Sequence, residues 1–263
     1  MYRATTILRR RGRWAARMLC LAACAVVAAT QASAQEDPEY RLELGGGLAL
    51  TAYEGDFNGS IMRGMQPRLA VTAKYKLNPR MAWAAQLSTG QLKGSSKNAD
   101  TWYPVLWQKP MDFKTMVTDF TIRYEYNFWP FGTGREYLGA VPLTPFIAIG
   151  AGLTFAGKPK LKGAAWLDAE TPDPNAPEAP KAVTAFQMPI GLGVKYKLKD
   201  RLNLTAEWIM HFTGSDHLDG VKDPYGIASS GLFKNTDGYS TLQVSLTYDL
   251  WAKCKTCHND RDL

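Results

Sequence analysis

The chain has 263 residues, with 31 Lys and Arg against 24 Asp and Glu, for a formal net charge of +7. Six of those cations (Arg3, Arg9, Arg10, Arg11, Arg13 and Arg17) lie in residues 1–34, which hold no acid; the rest balances at 25 basic against 24 acidic groups, which excludes the nucleic-acid surface that +7 suggests. Beyond residue 34 no run approaches the ~18 uncharged apolar residues of a transmembrane helix, whereas a transmembrane β-barrel is compatible with the mean hydropathy of −0.24.

The N-terminal 34 residues read as a secretory signal peptide: arginines, the apolar run Met18 to Ala29, then Gln31-Ala32-Ser33-Ala34, with cleavage expected after Ala34. Leu21-Ala22-Ala23-Cys24 resembles a lipoprotein box, but only six residues separate Arg17 from Cys24, so ordinary cleavage is the expectation. Export leaves Cys254 and Cys257 as the cysteines of the mature chain, in a compartment that permits disulfides.

From 35 to 252 the sequence alternates apolar and polar residues in eight long runs, near 40–52, 67–77, 80–92, 115–128, 143–156, 184–198, 201–213 and 238–251. In the fourth, Phe120, Ile122, Tyr124, Tyr126 and Phe128 oppose Asp119, Thr121, Arg123, Glu125 and Asn127. In the seventh, Leu202, Leu204, Ala206, Trp208, Met210 and Phe212 oppose Asn203, Thr205, Glu207, Ile209, His211 and Thr213. The eighth sets Leu242, Val244, Leu246, Tyr248 and Leu250 against Thr241, Gln243, Ser245, Thr247 and Asp249.

A soluble sandwich and a membrane barrel both alternate in this way, and three features select the barrel. The runs are long enough to span a bilayer, which takes ~9–11 residues when tilted. Tyr75, Tyr124, Tyr126, Phe128, Trp129, Phe131, Tyr196, Tyr248 and Trp251 gather at the same ends of their runs, as an interfacial girdle requires. Connections alternate between short (Asn78-Pro79, Lys199-Asp200, and a turn within Trp129 to Pro142) and long (53–66, 93–114, 157–183 and 214–237), the short ones expected in the periplasm. The expectation is a closed, all-β, eight-stranded antiparallel outer-membrane barrel with long outer loops and both termini periplasmic.

Glu43, Arg68, Lys74, Asp119, Arg123, Glu125, Lys195, Glu207 and Asp249 are expected inside, neutralising one another in a lumen just wide enough for side chains. A conducting pore is not expected. Lys74-Tyr75-Lys76-Leu77 with Arg80 is nearly duplicated by Lys195-Tyr196-Lys197-Leu198 with Arg201, tyrosine and leucine facing lipid and the lysines facing inward or reaching the rim. The third long loop, with Pro172, Pro174, Pro177 and Pro180 among acids, is expected to be extended and solvated. Gly45-Gly46-Gly47 falls within a strand, where it marks a close backbone approach or bend rather than a phosphate loop.

No catalytic residue, cofactor or metal is expected. His211 and His217 with Asp216, Asp219 and Ser215 outline a lipid-modifying centre at the outer rim, set against a plain polar loop over Thr213 to Pro224, which is the favoured reading. Asp216, Asp219 and Asp223 lack the spacing of an EF-hand calcium loop. Residues 253–263 form a periplasmic tail holding Cys254-Lys255-Thr256-Cys257-His258; the spacing matches c-type haem attachment, but a trailing tail offers no enclosing pocket. The expectation is a disulfide, either within the pair or to another protein.

The order of several short motifs resembles one family. Tyr53-Glu54-Gly55-Asp56, Tyr75-Lys76-Leu77-Asn78-Pro79-Arg80, Pro145-Phe146-Ile147 with Gly150 and Gly152, and Pro189 with Gly191 and Gly193 are similar to the PorG outer-membrane barrels. So are Leu218-Asp219-Gly220-Val221, Asp223-Pro224-Tyr225-Gly226-Ile227, Tyr248-Asp249 and the terminal cysteine pair. The resemblance implies an accessory component of the type IX secretion system, a barrel tethering a periplasmic ring, made of a lipoprotein and its partner subunit, to the outer membrane. The rival expectations are a small barrel that braces the membrane or binds lipopolysaccharide, and a lipid-modifying barrel enzyme using His211 or His217.

Overall fold

The computed structural model describes residues 40–55, 58, 60, 62–95, 112–133, 140–163, 179–220 and 236–252. Eight long strands form the wall: β1 Tyr40–Glu54, β2 Gln66–Asn78, β3 Met81–Ser95, β4 Asp112–Asn127, β5 Leu143–Ala156, β7 Val183–Lys199, β8 Leu202–Thr213 and β9 Gly238–Ala252. A three-residue strand, β6 Lys160–Lys162, pairs with β4. The hydrogen-bonded order β3-β2-β1-β9-β8-β7-β5-β4 is closed by β3–β4 pairing, and every ladder is antiparallel. Closure leaves the eight-stranded wall without a free edge.

Side-chain alternation explains why these segments pair in this register, since slipping one residue would turn every charged group outward. The outward positions form a continuous apolar band that includes Leu48, Leu69, Val71, Leu87, Phe120 and Leu246. Leu48 is 69 % exposed, an arrangement stable only in a non-aqueous surrounding. Tyr75, Phe128, Trp129, Tyr196 and Tyr248 stand exposed toward the short-turn end, joined by Trp83, whose ring meets that of Tyr124 edge-on at 5.3 Å.

Several details depart from the sequence reading. Phe131 is not part of the outward girdle: it is 2 % exposed, with the Lys197 ammonium over its ring. The side chain of Trp251 lies outside the described residues, as do residues 1–39 and 253–263, which hold the leader and both tail cysteines. The two tight turns sit one residue later than expected, at Pro79-Arg80 and Asp200-Arg201, because β2 and β7 each carry a register shift just before the turn, at Lys76/Asn78 and Lys197/Lys199. The duplicated sequence hairpins thus carry matching irregularities. The third long loop begins with β6 rather than as solvated chain, and Pro180 at its far end is buried, while 164–178 are outside the described residues.

Glycines make room for bulky groups inside. A Cβ on Gly150 would lie 2.8 Å from Cγ of Arg123, and one on Gly193 would lie 2.8 Å from the Phe146 ring. Gly45 and Gly47 of β1 likewise lie against the backbone of β9, where a Cβ would strike Thr247 or Ser245.

Leu48→Arg should cost about 2–4 kcal/mol if that position lies near the bilayer midplane, read as a lowered urea midpoint for the barrel in lipid vesicles. Replacing the exposed Lys158 by Gln should leave the midpoint unchanged.

Candidate functional site

The lumen holds most of the molecule's organised chemistry, in layers from the short-turn end to the long-loop end. Nearest the short turns, Lys76 of β2 reaches Asp249 of β9 at 2.5 Å and Glu43 of β1 at 3.4 Å. Asn203 donates to the same aspartate at 3.2 Å, and the Thr247 hydroxyl donates to Glu43. Four strands, including the first and the last, meet in this cluster.

One layer up, Glu125 sits between two ammonium groups, Lys195 at 2.6 Å and Lys74 at 3.4 Å. Both lie over the Phe146 ring, at 4.6 and 5.7 Å from its centroid, so a neutral aromatic face supplements the shared carboxylate. Lys74 and Lys195 are the equivalent positions of the duplicated hairpins, and they converge on one acid. The second lysines diverge: Lys76 is buried, whereas Lys197 is half-buried and donates to the Gly132 carbonyl.

The next layer is a closed ring of four side chains. Arg123 donates to both carboxylate oxygens of Glu207, at 2.8 and 3.3 Å, and to Gln86 at 2.7 Å. Gln86 donates to Gln243 at 3.0 Å, and Gln243 donates back to Glu207 at 3.1 Å. The planar guanidinium fork suits this two-pronged contact, which a lysine could not reproduce.

Above it, Arg68 pairs with Asp119 at 2.5 Å and lies over the Tyr239 ring at 5.1 Å. Tyr239 stacks on His211 with centroids 4.3 Å apart; its hydroxyl donates to Gln187, which also lies 2.6 Å from the imidazole Nδ1. The long-loop end is then closed by an apolar cluster of Tyr53, Leu92, Phe113, Val117, Ala156, Leu218 and Tyr239. The Tyr53 hydroxyl lies against two buried carboxylates, Asp219 at 2.8 Å and Asp237.

All nine residues singled out for the lumen are buried: Glu43, Arg68, Lys74, Asp119, Arg123, Glu125, Lys195, Glu207 and Asp249. That set holds five acids and four cations, and the buried Lys76 supplies the fifth cation. Its place was readable from parity, since it stands two residues from Lys74 on the same strand face. Gln86, Gln243 and Gln187 were not singled out, because a glutamine on an inward face carries no charge pattern to mark it. Leu218 and Asp219, which the sequence places in a polar loop, are both fully buried at the barrel mouth. His211 lies in the lumen layer just described and not among lipid-facing side chains. His217 stands on the loop at the mouth, where its carbonyl accepts from Gly220 N–H.

This geometry and the apolar exterior define a small membrane barrel with a solid interior. The chain belongs to the outer membrane protein β-barrel domain family, whose model matches residues 20–249. Similar solved structures include Neisserial surface protein A, at 13 % identity and a TM-score of 0.48 over 80 % of this chain and 97 % of that one. Ail, the attachment invasion locus protein of Yersinia pestis, has 12 % identity and a TM-score of 0.44 over 81 % and 99 %. The outer membrane protein OprG from Pseudomonas aeruginosa has 12 % identity and a TM-score of 0.42 over 83 % and 99 %. No curated protein matches the chain.

Replacing Arg123 by Met should destabilise the barrel by about 3–5 kcal/mol in a urea titration, because Glu207 would be left charged and buried. Pairing it with Glu207→Leu should recover most of that loss. A double variant no more stable than Arg123→Met would mean that the guanidinium contributes by packing alone.

Proposed function

We propose that this barrel is a non-enzymatic anchor: an accessory component of the type IX secretion system that tethers a periplasmic ring, a lipoprotein with its partner subunit, to the outer membrane. The observation that carries the reading is the filled lumen. Arg123, Lys74, Gln187 and Gln243 are each less than 2 % exposed inside the wall, so the barrel is a rigid post rather than a conduit. A post is suited to holding something at its ends.

Two further features support attachment at the short-turn end. Tyr40 and Ala252 are cross-strand partners, so the segments before β1 and after β9 both leave from that rim. The tail that follows carries Cys254 and Cys257, outside the described residues, in a sequence whose order of motifs resembles the PorG barrels. On this reading the short turns and the tail face the periplasm and the long loops face outward. The cysteines bridge each other or the partner, giving a stiff or covalent attachment.

Affinity capture of the full chain from detergent-solubilised envelopes of a host that has the ring proteins should recover the lipoprotein and its partner. Non-reducing electrophoresis should show a species that vanishes in Cys254→Ser or Cys257→Ser if the link is intermolecular. Failure to capture either ring protein from such a host would sink the anchor reading. An enzymatic role would instead appear as a lipid A mass spectrum that changes in His211→Ala or His217→Ala while the barrel stays folded; the expected spectrum is unchanged.

A further inference from the structure

The outer wall carries a feature that neither the lumen nor the anchor reading uses. On the face turned away from the lumen, β3, β4 and β6 set three lysines side by side at the long-loop rim. Lys93 is the cross-strand partner of Lys114, and Lys114 is the partner of Lys160. All three are exposed, and no carboxylate among the described residues pairs with them. Directly opposed like charges weaken a ladder, yet here two such pairs are consecutive. An anion lying across the row would reverse the sign of that interaction.

The surroundings strengthen the point. The lysines border a cleft of about 620 Å³, which Arg63 of the β1–β2 connection and Lys162 of β6 also line; Asp112 is its one acid among the described residues. Its position relative to the apolar band is defined by β4. Lys114 stands two residues beyond Met116, which is 50 % exposed and belongs to the outward apolar face with Phe120 and Ile122. The row therefore begins where the apolar wall ends, at the depth where lipid headgroups replace acyl chains.

We propose that Lys93, Lys114 and Lys160, flanked by Arg63 and Lys162, bind the phosphate groups of a membrane glycolipid whose acyl chains lie against the wall below them. Lysine ammoniums act as point charges on phosphate without demanding a fixed fork geometry, which suits a headgroup that moves laterally. The glycolipid as occupant rests on the long-loop end being the outer one, the orientation proposed above; the phosphate chemistry of the row does not.

The test titrates the full chain, purified in neutral detergent, with diphosphoryl lipid A, the fully dephosphorylated lipid and inorganic phosphate, read by native mass spectrometry. Each lysine near an anionic surface is worth roughly five-fold in affinity, so Lys93→Gln/Lys114→Gln/Lys160→Gln should bind diphosphoryl lipid A about 100-fold more weakly than the natural chain. Lys114→Gln alone, the centre of the row, should lose about five-fold, and it serves if the triple variant fails to show the heat-dependent mobility of a folded barrel. The dephosphorylated lipid should bind the natural chain and the variants alike. Equal affinity of the natural chain and the Lys114→Gln variant for diphosphoryl lipid A overturns the site. Displacement of the lipid by millimolar inorganic phosphate overturns the lipid and leaves a free-anion site instead. Ser95→Cys at the same rim should react with a membrane-impermeant maleimide on intact cells; no reaction would overturn the orientation, and with it the glycolipid, whatever the titration gives.

Discussion

Everything in this barrel depends on matching buried charges within a space that admits nothing else. Five cations and five acids occupy the eight-stranded wall's interior, and each is held in at least one ion pair. A single unmatched member would leave a charge out of water at a cost of several kcal/mol, comparable to the net stability of a domain. The glutamines matter for the same reason. Gln86 and Gln243 use hydrogen-bonding capacity that Arg123 and Glu207 would otherwise leave unspent, turning a pair into a closed circuit.

Space is the complementary constraint. Long charged and aromatic side chains fit only where the neighbouring strand leaves room, and the glycines cross-strand from Arg123 and Phe146 provide that recess. Polar interior, small inward residues and apolar exterior are thus one solution to one problem. The wall must be attractive to acyl chains outside and self-satisfied inside. The long-loop mouth solves it differently, with an apolar cluster and a tyrosine hydroxyl shared by two carboxylates.

Period-two alternation made the wall legible in the sequence, because the physics that orients a strand residue acts through its immediate neighbours. The eight runs, the short and long connections and the inward set from Glu43 to Asp249 all follow from that local rule. What lay beyond it was set by distant partners. Leu218 looks like a loop residue because its burial comes from strands far away in sequence, and β6 looks like loop because its three residues pair with β4. Phe131 shares the composition of the girdle but turns inward under Lys197, a partner more than sixty residues away in sequence. Lys93, Lys114 and Lys160 are unremarkable in the sequence and become a row only once three strands are in register.

The seam between β1 and β9 has a consequence for how the chain reaches this state. Its ladder joins the first strand to the last, from Tyr40 with Ala252 to Glu54 with Gly238, and the Glu43–Lys76–Asp249 cluster straddles it. Those contacts span nearly the whole barrel sequence, so they are the most expensive in loop entropy and the slowest to form. Until they do, β1 and β9 each present an unpaired edge, and Lys76 has Glu43 of the neighbouring β1 beside it but not Asp249. The β9 strand therefore acts as a clasp: the wall becomes insulating, and the ion cluster at its short-turn end complete, only when β9 finds β1.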